Sequence, residues 1–167
     1  NPSHSLRLTK RMVREGLLRI TDEKTIQAAW LSLLSPEDIV GLKVHSSPGR
    51  NSGTRLPVVA QVVETLLEAG FTTNQIVVWD RRRPALRRAG FFELQDRYGI
   101  TVEGSVDAGY DPETFYSTPL LGVPVFGDYE FGKEGEDIGR NSYVSKLLTE
   151  RITKIVNITP LLNHNRN

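Results

Sequence analysis

The 167-residue sequence contains no cysteine. That absence removes disulfides, thiolate nucleophiles, Cys-ligated zinc and any iron–sulfur cluster held by this segment. No apolar run approaches the ~18 residues needed to cross a bilayer, so no membrane span is expected. No basic stretch followed by an apolar one opens the chain. Position 1 is Asn rather than Met, which leaves both a cytoplasmic and an exported location, the latter with its signal removed, open as expectations. Net charge is scarce as well. The 21 Lys+Arg oppose 20 Asp+Glu for a formal +1, which supplies no global field to collect nucleic acid or an anionic membrane. Any function built on positive charge must be local.

What is present is the composition of an ordinary globular domain, 38% apolar and 25% charged. After eight polar residues expected to fray, Met12, Val13, Leu17 and Leu18 give helical spacing over Thr9 to Leu18. Ile26, Ala29, Trp30, Leu33 and Leu34 recur at i, i+3, i+4, i+7 and i+8, which predicts a second helix with Thr21 or Asp22 as N-cap, Trp30 in the core, and an end at Ser35-Pro36. Ile39 to Val44 is nearly continuous apolar sequence, as in a strand buried on both faces of a parallel sheet. Thr54 as N-cap, Pro57 in the first turn, and an apolar stripe from Val58 to Leu67 closed by Gly70 predict the best-defined helix. Ile76 to Asp80 is a second strand, Pro84 to Ala89 a short helix capped by Gly90, and Ile100 to Glu103 a third strand. Ser142 to Glu150 has helical spacing, and Ile152 to Ile158 predicts a fourth strand.

The expected fold is therefore one α/β domain: an open, mainly parallel sheet of about four strands with flanking helices and βαβ units. Between them, 105–141 forms an irregular excursion rich in glycine, proline and aromatics, expected to be a lid, a hairpin or a partner surface, with a small hairpin at 126–135. The chain stops soon after a strand end, so the domain is expected to be incomplete at its C-terminus.

In such sheets ligands bind outside the carboxyl ends of the strands, and several polar residues fall there. Lys43 interrupts an apolar strand; its ammonium either reaches the rim, pairs internally, or meets an anion. Asp80, at the next strand tip, can ligate a metal, act as a base, or cap the following turn; Lys43 and Asp80 are the catalytic candidates. The loop 45–55 with Ser46, Ser47, Arg50 and Thr54, joined by Arg81, is the anion-site candidate, because backbone N–H groups and hydroxyls before a helix N-terminus suit negative charge. It matches neither the Walker loop nor the dinucleotide glycine pattern. His45, Asp80 and His164 could together hold a divalent metal, and Asn157 lies at a further strand tip.

Three stretches resemble a known family. Gly41-Leu42-Lys43-Val44-His45 with Thr54-Arg55-Leu56-Pro57 resembles a Lys-Val-Asn strand end and a Thr-x-x-Pro helix start; Trp79-Asp80-Arg81 with Arg88-Ala89-Gly90 resembles a Trp-Asp-Arg and Arg-Ala-Gly pair; 154–164 resembles an Asn-x-Pro-x-Leu-Lys-x-His motif. The family is the bacterial "domain of unknown function 362", sometimes found beside ferredoxin-type modules or behind an export signal. His45 replaces its usual Asn, Asn163 falls near its lysine, and its glycine-rich continuation is absent. The resemblance implies no reaction. The expected function is binding of a phosphorylated or carboxylated small molecule. The alternatives are a metal-dependent enzyme, a redox enzyme borrowing iron–sulfur from a partner domain or chain, and an interaction module docking through the excursion.

Overall fold

The computed structural model describes residues 2–117 and 141–160. Four parallel strands form the central sheet: β1 (Val40–Val44), β2 (Ile76–Asp80), β3 (Thr101–Gly104) and β6 (Lys154–Ile158), in the order β3-β2-β1-β6. The chain steps outward from β1 to β3 and then returns to the other side of β1, so the strand order reverses between β1 and β6. Two further strands, β4 (Tyr110–Ser117) and β5 (Asn141–Ser145), pair antiparallel as a separate ribbon.

Five helices, α1 (Pro2–Thr21), α2 (Ile26–Leu33), α3 (Leu56–Glu68), α4 (Arg83–Ala89) and α5 (Phe92–Tyr98), contribute to one apolar cluster with one face of the sheet. The alternation of strand side chains explains the division. Val40, Leu42 and Val44 of β1 and Ile76 and Val78 of β2 point into this cluster, as do Val59, Val63 and Leu66 of α3. Each fully buried side chain of this kind contributes roughly 1.5–3 kcal/mol from removal of apolar surface. Among the described residues the opposite face is thinly covered: Val77 and Trp79 pack there against Leu147, from the tight π-type turn Leu147–Arg151, and Ile152, which follows it. Gly41 and Lys43 share that thin face with Trp79. At Gly41 a Cβ would come 2.9 Å from Trp79 Nε1 and 2.7 Å from Ile152, so only a residue without one lets the indole lie across β1.

Several boundaries differ from the sequence reading. The first helix begins at Pro2 rather than Thr9, since no glycine or further proline lies between Pro2 and Thr9 and Pro suits a first turn. The N-cap of α2 is Thr25, whose hydroxyl accepts from the Ala28 amide at 3.1 Å, while Asp22 takes a left-handed φ of 55° that separates the two helices. α3 begins after Arg55, with no side-chain cap; Thr54 is drawn away by other bonds. α5 was not anticipated. It follows the left-handed Gly90, φ 89°, and ends at Gly99, φ 70°. Ser142 to Glu150 is not one helix: its first part is β5, because Tyr143 and Val144 find a strand partner in β4, with Tyr143 opposite Phe115 at a ring separation of 5.4 Å. The expected hairpin at 126–135 lies outside the described residues.

Candidate functional site

The carboxyl ends of β1 and β2 lie side by side, with Lys43 in register with Trp79. Lys43 leaves the thin face and curls over the strand end. Its Nζ donates to the Val44 carbonyl at 2.7 Å and to Asp80 Oδ1 at 2.8 Å, and sits 5.4 Å from the centre of the Trp79 ring. The other carboxylate oxygen, Asp80 Oδ2, accepts from the Ser46 amide at 2.8 Å and from its hydroxyl at 2.6 Å. Asp80 thus holds the end of β1 from both sides. Burial would push its carboxyl up, but the hydrogen bonds from Lys43 and Ser46 and the charge of Lys43 outweigh that and hold it below the usual range. Asp80 is a structural anion with both oxygens engaged, and a carboxyl held this low is poorly suited to act as a base. An ammonium has three N–H donors, and two of those of Lys43 are engaged by protein acceptors.

Above these groups a cleft of about 410 Å³ opens. Its floor is Lys43, Trp79, Asp80 and Arg81, and its wall is the β4–β5 ribbon, through Tyr110, Tyr116 and Tyr143. Two features of the chain set the ribbon there. The short helix α6 (Ser105–Ala108) ties β3 back to the sheet through Val106 N–H to the Arg81 carbonyl at 3.0 Å. Gly109, at φ 85°, then turns the chain up into β4, and its carbonyl accepts from Lys146 N–H at 3.0 Å. The tyrosines were missed in the sequence because Tyr143 carried helical spacing and the others sat in an excursion without periodicity.

The remaining expected site residues disperse. Ser46 joins Lys43 and Asp80, but as an internal donor. Thr54 closes the seam between β1 and β6: its hydroxyl accepts from the His45 amide at 2.9 Å and donates to the Ile158 carbonyl at 2.6 Å. Arg50 pairs with Glu93 of α5 and rests against Gly90. Ser47 is exposed on the loop, away from these bonds. The loop therefore spends its polar groups on its own architecture and forms no converging anion cradle from the residues expected. A smaller crevice of about 310 Å³ does lie at the strand reversal between β1 and β6, lined by Gly53, Thr54, Arg55 and Thr159. Asn157 is in register with Lys43 but exposed on the edge strand. His164 lies outside the described residues. Among the described residues no group of three or more His, Cys, Asp or Glu side chains comes together, and both oxygens of Asp80 are already bonded.

No family model, no curated protein and no solved structure matches this chain.

Proposed function

We propose that the protein binds a phosphorylated or carboxylated small molecule in the cleft over the carboxyl ends of β1 and β2. The observation that carries this reading is Lys43: a cation anchored at a strand tip by Asp80 and Val44, with a third donor left for an acceptor in a cleft that Arg81 also lines. A cleft of this size falls in the range typical of small-molecule sites. Membership of the domain of unknown function 362 is part of the proposal. Two of the three segments that resemble it, around Lys43 and around Trp79-Asp80-Arg81, supply the floor of the cleft.

The test is calorimetric titration with a panel of phosphate and carboxylate compounds. Binding of at least one is expected, with about a tenfold or greater loss in Lys43→Gln, in line with the worth of a charge-assisted hydrogen bond. Undiminished binding in that variant, or no binding by any member of the panel, would sink the reading.

A further inference from the structure

We infer that the exposed face of α4 docks an acidic segment of a protein partner, one that presents three or more Asp or Glu side chains in a row. Five arginines fall within the eight residues Arg81 to Arg88, with no acid among them. The whole chain carries +1, so removing these five charges leaves −4 for everything else, and this one stretch sets the sign of the net charge. The fold turns that charge outward. Ala85, Leu86 and Ala89 of α4 are buried, whereas Arg87 and Arg88 are exposed on its other side and Arg82 is exposed at its start. None of these three arginines lines the cleft over β1 and β2.

Stability does not account for the cluster. Cations in the last turn of a helix, as Arg87 and Arg88 are, meet the negative end of the helix dipole, but Arg82 and Arg83 stand at the other end, where it opposes them. Arg83 and Arg87 are four positions apart, a spacing at which like charges on a helix repel. Acids of the chain answer only part of this. Arg83 pairs with Glu103 at 3.5 Å and Arg81 is engaged as well, whereas Arg82 and Arg88 have no hydrogen bond or ion pair among the described residues. The guanidinium carbon of Arg87 lies 4.3 Å from the centre of the Phe92 ring, and that of Arg83 lies 5.5 Å from it. A guanidinium laid on a ring keeps its N–H edge for a carboxylate, which it can grip through two parallel bonds. The seven residues of α4 rise about 10 Å, a length that three extended peptide residues span. Beyond the patch, the exposed side of α5 carries Glu93 and Asp96. A short acidic peptide fits inside that limit, whereas a duplex, with a charge every ~1.7 Å of its axis, runs past it onto those carboxylates.

Fluorescence anisotropy of a labelled hexaglutamate peptide, titrated with the full chain at about 50 mM salt, tests the inference. Saturable binding is expected, with none for a glycine–serine peptide of the same length. Arg82→Gln, Arg87→Gln and Arg88→Gln combined should weaken it about tenfold or more, each exposed pair contributing a fraction of that step. The control removes as much charge from α1, through Arg7→Gln, Lys10→Gln and Arg19→Gln. Those cations are spread along the helix, and Arg11 and Arg14 beside them are already paired with Glu15 and Glu68. The control should leave affinity within about twofold. Arg88→Glu alone, at an exposed position, guards against loss of the fold and should weaken binding about threefold or more. No saturable binding of hexaglutamate, equal loss in the two triple variants, or undiminished binding in Arg88→Glu would overturn the inference. So would tighter binding of a short single-stranded DNA, or of vesicles containing phosphatidylserine, that the α4 variant abolishes.

Discussion

At the scale of single residues, the Asp80 carboxylate bonds three donors at the junction of two strands. Asp80→Ala would strand the Ser46 amide and leave Lys43 with only the Val44 carbonyl. A loss of about 3–5 kcal/mol is expected, the range for removing one partner of a buried pair, and urea unfolding measures it. The pH dependence follows from the depressed carboxyl. A group whose pKa is lower folded than unfolded stabilises the protein above its unfolded value, about 3.9 for Asp, and loses that contribution as pH falls through the folded one. Wild-type stability should therefore drop below about pH 4, and Asp80→Asn should flatten that part of the curve. Gly41→Ala puts a methyl group against Ile152 and Trp79, and a loss of about 1–3 kcal/mol is expected from overpacking. Buried Trp79 Nε1, which has no hydrogen-bond partner among the described residues, stays where it is because the same contacts fix the ring.

Elements were legible in the sequence where one periodicity dominated. Val58 to Leu67 and the two apolar strand cores are of that kind, and the structure has α3, β1 and β2 there. The sequence misled where polar side chains had two uses. Thr54 has the chemistry of an N-cap but is engaged by His45 and Ile158, and nothing local distinguishes the two outcomes. Ser142 to Val144 became a strand because of a partner some 25 positions away, at Phe115 to Ser117, which a local window does not contain. The site was legible in part for the same reason. Lys43 and Asp80 stand out as polar residues ending apolar strands; the tyrosine wall depends on how the ribbon folds back. Edge strand β6 shows how a single hydroxyl can anchor an element. Thr153 Oγ1 donates to Asp38 Oδ1 at 2.7 Å and accepts from the Ile39 amide at 3.0 Å, fastening the start of β6 to the start of β1. Thr153→Val is expected to cost about 0.5–1.5 kcal/mol, measured by chemical denaturation, because the Ile39 amide and one oxygen of the Asp38 carboxylate then turn to solvent for a partner.

For the whole molecule, the arrangement of helices on one face and, among the described residues, thin cover on the other predicts where the backbone opens first. Amides of β1 and β2, interior in the sheet and flanked by buried side chains, should exchange with solvent most slowly, through global unfolding. Those of β6, where Ile155 is 53% exposed, and of α1, whose Leu8, Met12 and Ile20 face solvent, should exchange through local opening at lower free energy. Hydrogen exchange resolved by residue checks this, and equal protection of β1 and β6 would contradict it.

The β1–β6 seam has a consequence for the order of events in folding. β2 follows β1 after a single helix, so that Lys43 and Asp80 meet across 37 positions, whereas Ile39 and Thr153 meet across 114. The longer closure costs more chain entropy and is rewarded by a strand that buries little. β1, α3 and β2 can therefore form the nucleus, and β6 docks after the main barrier. Substitutions at Thr153 should speed unfolding while hardly slowing refolding, and substitutions in the β1–α3–β2 unit should do the reverse.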